Sequence, residues 1–333
     1  MEDELHEING RTQNPVLSKQ EAVRVGNLVV LAQPDQVALD QQKQHFLARA
    51  YQISETQHFV LCQKPFSHKT VLMHTFGQAE IDADLICFIE NELPSFGLIP
   101  TAKDFGATLF AVLASTFPSP RDQRTIWRRF CFNSLVKLRD QIDHPLPTSP
   151  EVSYIAPFAT IYRRVLDLYA GQSFLDVGCS FGFLPVLMAE RVPTICVMGC
   201  DNNLDAIRFS TDLVEVTGVR HVTFTLQDVL NATILGLGTF DTVVALHLLE
   251  HLPERDLPIA FTHLLRMTSK RLIIAVPYEQ QAIAIYGHEC VFTKEKLQRW
   301  GKWCLEALEG QGRFWCEDVA GGMLIVERLP GQG

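Results

Sequence analysis

The sequence predicts an α/β protein, a mostly parallel seven-stranded sheet with an antiparallel edge hairpin, preceded by a smaller N-terminal α+β unit. Three observations carry this expectation. Beyond residue 150, short apolar runs alternate with amphipathic segments, the pattern that βαβ units impose on a chain. The last two runs instead flank a Val-Ala-Gly-Gly break, where a crossover helix has no room and a hairpin does. The two regimes are separated by Asp143-His-Pro-Leu-Pro-Thr-Ser-Pro150, in which each proline pushes its predecessor away from helix.

Taken in order, residues 1–15 are polar and acidic and read as a frayed tail without the basic and apolar regions of a secretory signal. Residues 16–142 form the accessory α+β domain. Its β-branched runs Asn27 to Leu31, His58 to Cys62 and Thr70 to Thr75 are expected strands, and Ala79 to Glu92, Asp104 to Ser115 and Gln123 to Gln141 are expected helices. Residues 143–150 are the linker and 151–330 the sheet domain. There the expected strands are Ser173 to Val177, Thr194 to Cys200, His221 to Leu226, Phe240 to Leu246 and Arg271 to Val276. The edge pair is Gln311 to Cys316 with Gly322 to Arg328. The expected helices are Pro157 to Tyr169, Phe183 to Arg191, Leu204 to Thr217, Leu257 to Met267 and Thr293 to Leu308.

Composition narrows the function. With 29 basic against 38 acidic side chains the net charge is −9, which argues against a surface built to neutralise phosphates and hence against a nucleic-acid substrate. No apolar run approaches the roughly 18 residues that span a bilayer, and a cytoplasmic protein is expected. Nine cysteines, none in a Cys-x-x-Cys pair, read as reduced and mostly buried thiols.

Phe174-Leu-Asp-Val-Gly-Cys-Ser-Phe-Gly182 is an apolar strand running into a glycine-punctuated turn and a helix, so backbone can approach a ligand at the strand's carboxyl end. Gly178 and Gly182 are four apart, and the G-x-G-x-x-G spacing of dinucleotide sites is absent, which disfavours a nicotinamide dehydrogenase. The next strand ends in Cys200-Asp201, placing a carboxylate near the offset of about 20 residues usual for one that accepts both ribose hydroxyls. The third ends in Gln227-Asp228, polar groups at the same sheet edge and able to read an adenine amino group. Together they point to an adenosine.

On these residues, the run from Phe174 to Pro277 resembles the class I S-adenosylmethionine-dependent methyltransferases. Within them it is similar to the broad family of ubiquinone-biosynthesis and small-molecule O-methyltransferases, whose fold is Rossmann-like. The resemblance implies that Asp176, Gly178, Cys179 and Gly182 surround the methionine part. It gives Asp201 and Asn202 the ribose, Gln227 and Asp228 the adenine, and Leu246 the wall after the fourth strand. Ser180 departs from the family, whose commonest form has a third glycine there. The string Asp-Val-Gly-Cys-Ser-Phe-Gly-Phe-Leu-Pro and the long N-terminal extension also resemble methyltransferases that act on glycans of peptide-derived redox cofactors such as mycofactocin. The implied acceptor is a hydroxyl of a small molecule or glycan. A homodimer is a further expectation for the accessory unit.

An alcohol acceptor must lose a proton as it attacks, and histidine is the natural base near neutral pH. His247, after the fourth strand, and His288, in Tyr286-Gly-His-Glu-Cys-Val-Phe-Thr293, are the candidates for catalysis, and Tyr278 and Tyr286 are candidates for stacking on the acceptor. His247-Leu-Leu-Glu-His251 also satisfies H-x-x-E-H, an inverted zinc-hydrolase motif, if it lies on a helix with a further ligand downstream. The preceding strand and Pro253 argue against that helix, so no metal is expected. A catalytically silent scaffold that keeps the cofactor site is the other alternative.

Overall fold

In the computed structural model the described residues are 22–119, 121–145 and 153–329, and the expected 1–15 tail and most of the 143–150 linker lie outside them. Contacts divide the chain into two compact units, meeting between Ser134 and Leu135. That border falls inside a single long helix, Gln123–Asp143.

The first unit holds a five-stranded sheet of β1 (Val23–Val25), β2 (Leu28–Ala32), β3 (Gln52–Glu55), β4 (Val60–Gln63) and β5 (Thr70–His74), in the order β1-β2-β5-β4-β3. Only β2 and β5 pair in parallel. Their connection is long enough to carry helix α1 (Gln36–Leu47), whose Leu39 and Phe46 pack on Leu31, Val60, Cys62, Val71 and Met73. The sequence predicts β2, β4 and β5 of this unit; β1, β3 and α1 are additions. The reason is physical: α1 is capped by Asp35 but mostly polar, with just two buried residues, and β3 is a largely exposed edge, so neither carries a clear apolar period. Helices α2 (Asp84–Glu92), α3 (Ala102–Ser115) and α4 (Gln123–Asp143) follow. Ser115 Oγ lies 2.8 Å from Nε2 of His74, whose complete burial pushes its imidazole pKa down to about 3, so this pair is a neutral core contact.

The second unit begins with α5 (Ile155–Leu168) and then alternates: β6 (Ser173–Val177), α6 (Phe183–Arg191), β7 (Cys196–Asp201), α7 (Leu204–Thr217), β8 (Val222–Leu226), β9 (Phe240–Leu246), α8 (Leu257–Met267), β10 (Thr268–Val276), α9 (Lys294–Ala307), β11 (Gly312–Asp318) and β12 (Gly322–Arg328). The seven strands run in the order β11-β12-β10-β9-β6-β7-β8, as the sequence predicts for a mostly parallel sheet with an antiparallel edge pair. The caps are where the sequence placed polar residues. Asn203 accepts from the Asp205 N–H to start α7, and Thr293 accepts from Lys296 N–H to start α9.

Strand β6 sits between β7 and β9, parallel to both, so the chain's order reverses at its carboxyl end. Loops leave in opposite directions there and open a crevice, the place where open α/β sheets bind ligands. Beneath it the core is continuous from Leu175 and Val177 through Val243 and Ala245 to Phe261 of α8, which stacks on Trp300 of α9 at 4.2 Å. Seven of the nine cysteines are buried. Among the described residues no helix is long and apolar enough to cross a membrane.

Candidate active site

The turn after β6 is held open by backbone conformations that few residues adopt. Gly178, Ser180 and Gly182 all have positive φ, at 77°, 48° and 75°. A side chain on Gly182 would meet Ser210 Cβ at 2.6 Å and the Phe224 ring at 2.7 Å, so this glycine is required twice over. Ser180 occupies the left-handed position where the resembling family favours glycine. Its N–H donates to Asp201 Oδ2 at 2.9 Å, and its carbonyl accepts from Ser210 Oγ at 3.2 Å, so the strained residue is fixed at both ends.

Asp201, the last residue of β7, ties two loops together. One carboxylate oxygen takes the Ser180 N–H and the other takes the Asn203 N–H at 2.9 Å, while its carbonyl accepts from Gln227 N–H at 2.9 Å. Gly178 and Cys179 both donate to the Cys200 carbonyl, at 2.8 and 3.0 Å. The ends of β6, β7 and β8 are thereby one hydrogen-bonded rim carrying Asp176, Gly178, Cys179, Gly182, Asp201, Asn202, Gln227 and Asp228. Gln227 Oε1 accepts from Thr233 Oγ1 at 3.3 Å and Asp228 Oδ1 from Leu230 N–H at 2.9 Å, which fixes both beside the rim. Asn202 is exposed next to Asp201.

Asp176 is the unusual member. It is 4% exposed, and burial together with the nearby Asp201 charge pushes its carboxyl pKa up to about 8. A carboxylate in that position is stabilised by an incoming cation. Burial likewise drives the Cys179 thiol well up, so it is inert packing rather than a nucleophile.

The other wall comes from the turn after β9. Leu246 closes that strand, buried, and His247 N–H continues the ladder to Ala275 O at 2.9 Å. His247 then turns with φ 51°, and the chain makes a single 3-10 turn, Leu249–His251. H-x-x-E-H is therefore not on an α-helix, and the geometry required by the zinc-hydrolase alternative is absent. Leu248 lies over the glycine turn, where a Cβ on Gly178 would come within 3.0 Å of its side chain. The two loops are thus packed against each other. His247 Nδ1 sits 3.2 Å from Glu250 Oε1, its Nε2 is buried without a partner, and its ring lies 4.9 Å from Phe158 of α5.

His288 joins this group from the segment after β10. Its Nδ1 is 3.0 Å from Glu279 Oε2, and its ring is 4.8 Å from His251 and 5.6 Å from Tyr286. Tyr278 goes elsewhere: its ring packs on Gly322 of β12, and burial pushes its pKa up to about 12. Of the residues singled out from sequence, His247, His288 and Tyr286 are thus collected around Glu250 and His251, whereas Tyr278 packs at the sheet edge. Phe158 and Glu279 were not anticipated. Phe158 reads as one more apolar position on an amphipathic helix, and no spacing rule joins Glu279 to a histidine nine residues on.

Residues 174–271 match a family described as a methyltransferase domain. The methyltransferase GfsG of Streptomyces halstedii is 30% identical over 115 residues, which are 32% of this chain and 41% of that protein, so the match spans about two fifths of that relative. Magnesium protoporphyrin IX methyltransferase from Synechocystis PCC 6803, solved with bound S-adenosylhomocysteine, is 18% identical with a TM-score of 0.44, covering 62% of this chain and 100% of that one. The methyltransferase domain of a bacterial Hen1 is 14% identical with a TM-score of 0.43, covering 51% of this chain and 96% of that one.

Proposed function

We propose that the second unit is a class I S-adenosylmethionine-dependent methyltransferase domain and that it transfers the methyl group to a hydroxyl of a small molecule or glycan; the methyltransferase-domain match over residues 174–271 and the likeness to a methyltransferase support the first part of this reading. The observation supporting this reading most is the paired wall of the crevice: the rim of Asp176, Gly178 and Asp201 on one side, and a histidine backed by a buried carboxylate on the other.

The residues present fit the cofactor. The positive-φ turn brings bare backbone to the ligand, Asp176 offers a buried carboxyl suited to a cationic amino-acid part, and Asp201, Asn202, Gln227 and Asp228 supply polar groups for a ribose and adenine. When bound, S-adenosylmethionine supplies a methyl group already activated on a sulfonium, whose displacement releases a neutral thioether. The protein's own task is to hold the acceptor in line, a contribution of about 7–11 kcal/mol in favourable cases. The second task is to take up the hydroxyl proton. His247 is placed for it: Nδ1 faces Glu250, which leaves Nε2 to accept the proton as the acceptor oxygen attacks. His288 is the second candidate, with Nδ1 on Glu279. Phe158 and Tyr286 would flank the acceptor.

Replacing each histidine by alanine separates the roles. The base should lose about 10²- to 10⁴-fold in turnover with unchanged affinity for S-adenosylhomocysteine. Near-normal turnover in both variants would remove histidine from the chemistry.

A further inference from the structure

We propose that Glu250, His251 and His288 form a binding site for a divalent first-row transition ion beside the crevice. The ligand-capable atoms of these three side chains all lie within 4.8 Å of one another. For bonds of about 2.05 Å, tetrahedral ligands stand roughly 3.4 Å apart, so small side-chain rotations are enough to close the set.

The second observation is the state of Glu250. It is 1% exposed, and neither carboxylate oxygen has a hydrogen-bond partner. Its nearest counter-group is His247 Nδ1 at 3.2 Å. A buried carboxylate left this way costs several kcal/mol unless a cation meets it. Lys296, the nearby lysine, is committed to Glu254 and to the Val291 carbonyl, both at 2.9 Å.

The surroundings of the histidines complete the case. Nδ1 of His288 is held by Glu279, and Nδ1 of His251 lies 3.3 Å from the Gly287 carbonyl. With both Nδ1 atoms engaged, each Nε2 is the nitrogen left to ligate, the arrangement by which carboxylates and carbonyls orient metal-binding imidazoles. The turn is rigidly placed, because the Glu250 carbonyl accepts from Glu289 and Cys290 N–H at 2.8 and 3.1 Å, clamping the segment that carries His288 onto the segment that carries Glu250 and His251. Two imidazoles and one carboxylate suit Zn²⁺, Mn²⁺ or Fe²⁺ better than Mg²⁺ or Ca²⁺, which prefer all-oxygen sets. Three protein ligands also leave a position open, adjacent to His247, where an acceptor oxygen would be polarised. His288 is then a ligand, and His247 the base.

The test uses the full chain, stripped with a chelator and titrated with Zn²⁺, Mn²⁺ and Mg²⁺ separately, with metal content after desalting and the electron paramagnetic resonance of bound Mn²⁺ as readouts. The expected result is one equivalent of transition ion per chain, with Mg²⁺ at least tenfold weaker. Glu250→Gln and His288→Asn should each weaken binding a hundredfold or more, and Glu279→Gln about 10- to 100-fold. His251→Asn gives the same reading should Glu250→Gln fail to fold. Affinity for S-adenosylhomocysteine, measured on the same samples, should be unchanged, so loss of the metal site and loss of the methyltransferase reading are told apart. Substoichiometric metal in the wild type, or wild-type affinity in both ligand variants, would overturn the proposal.

Discussion

Asp176 shows how one side chain links fold, pH and ligand. Its carboxyl is buried beside another acid, and its pKa rises to about 8 in the folded protein. The unfolded chain gives up this proton near pH 4 while the folded chain keeps it to about pH 8, so the contribution to stability is full below the unfolded value and lost as pH rises through the folded one. Replacement by asparagine should therefore raise the melting temperature relative to wild type, by an amount that grows from about pH 5 to pH 8; a pH-independent difference would contradict this. A cationic ligand favours the ionised form, so binding below pH 8 should release a proton, visible in calorimetry as a heat that depends on the buffer's ionisation enthalpy. At Gly182, alanine combines a left-handed φ with collisions at Ser210 and Phe224. Its expected cost is about 2–4 kcal/mol, together with loss of cofactor binding, checked by chemical denaturation and titration.

At the level of elements, alternation of apolar and amphipathic stretches was enough to find β6, β9, α6, α7, α8 and β12 nearly to the residue, because each is a buried strand or a helix with one apolar face. The misses have a common cause. Strand β1 is three residues long and only half-buried, β3 is largely exposed, and α1 is mostly polar, so little burial is written into their sequences. The H-x-x-E-H segment matches a helical zinc motif, but the strand before it and Pro253 after it argue for a turn, and with the strand ending at Leu246 and His247 at φ 51° a turn is what forms. The rim acids stand out in the sequence because each lies within two residues of the end of an apolar strand. The His288–Glu279 pair does not, since it depends on how a loop folds back on itself. Helix α8 against α9 is the element pair on which the far side of the sheet rests. Phe261→Ala removes the stack on Trp300 and should cost about 3–5 kcal/mol in unfolding free energy without touching the crevice. Cofactor affinity at a temperature where the variant is folded should stay within a factor of two, and a larger loss would mean that the core and the site are not separable.

For the whole molecule, the division of labour is set by topology. The second unit has its own sheet, core and crevice, and the strand order reverses at β6, where the glycine turn and the His247 turn meet. The first unit has a separate sheet and core. Every role proposed for the crevice requires that the carboxyl edge of the larger sheet recognise an adenosyl group. Isothermal titration of the purified chain with S-adenosylmethionine and S-adenosylhomocysteine decides it. One equivalent of either should bind, and Asp201→Ala, folded by circular dichroism, should bind at least tenfold more weakly, a loss of about 1.4 kcal/mol or more. A wild-type chain that binds neither compound, or an Asp201→Ala chain that binds as tightly as wild type, would contradict it.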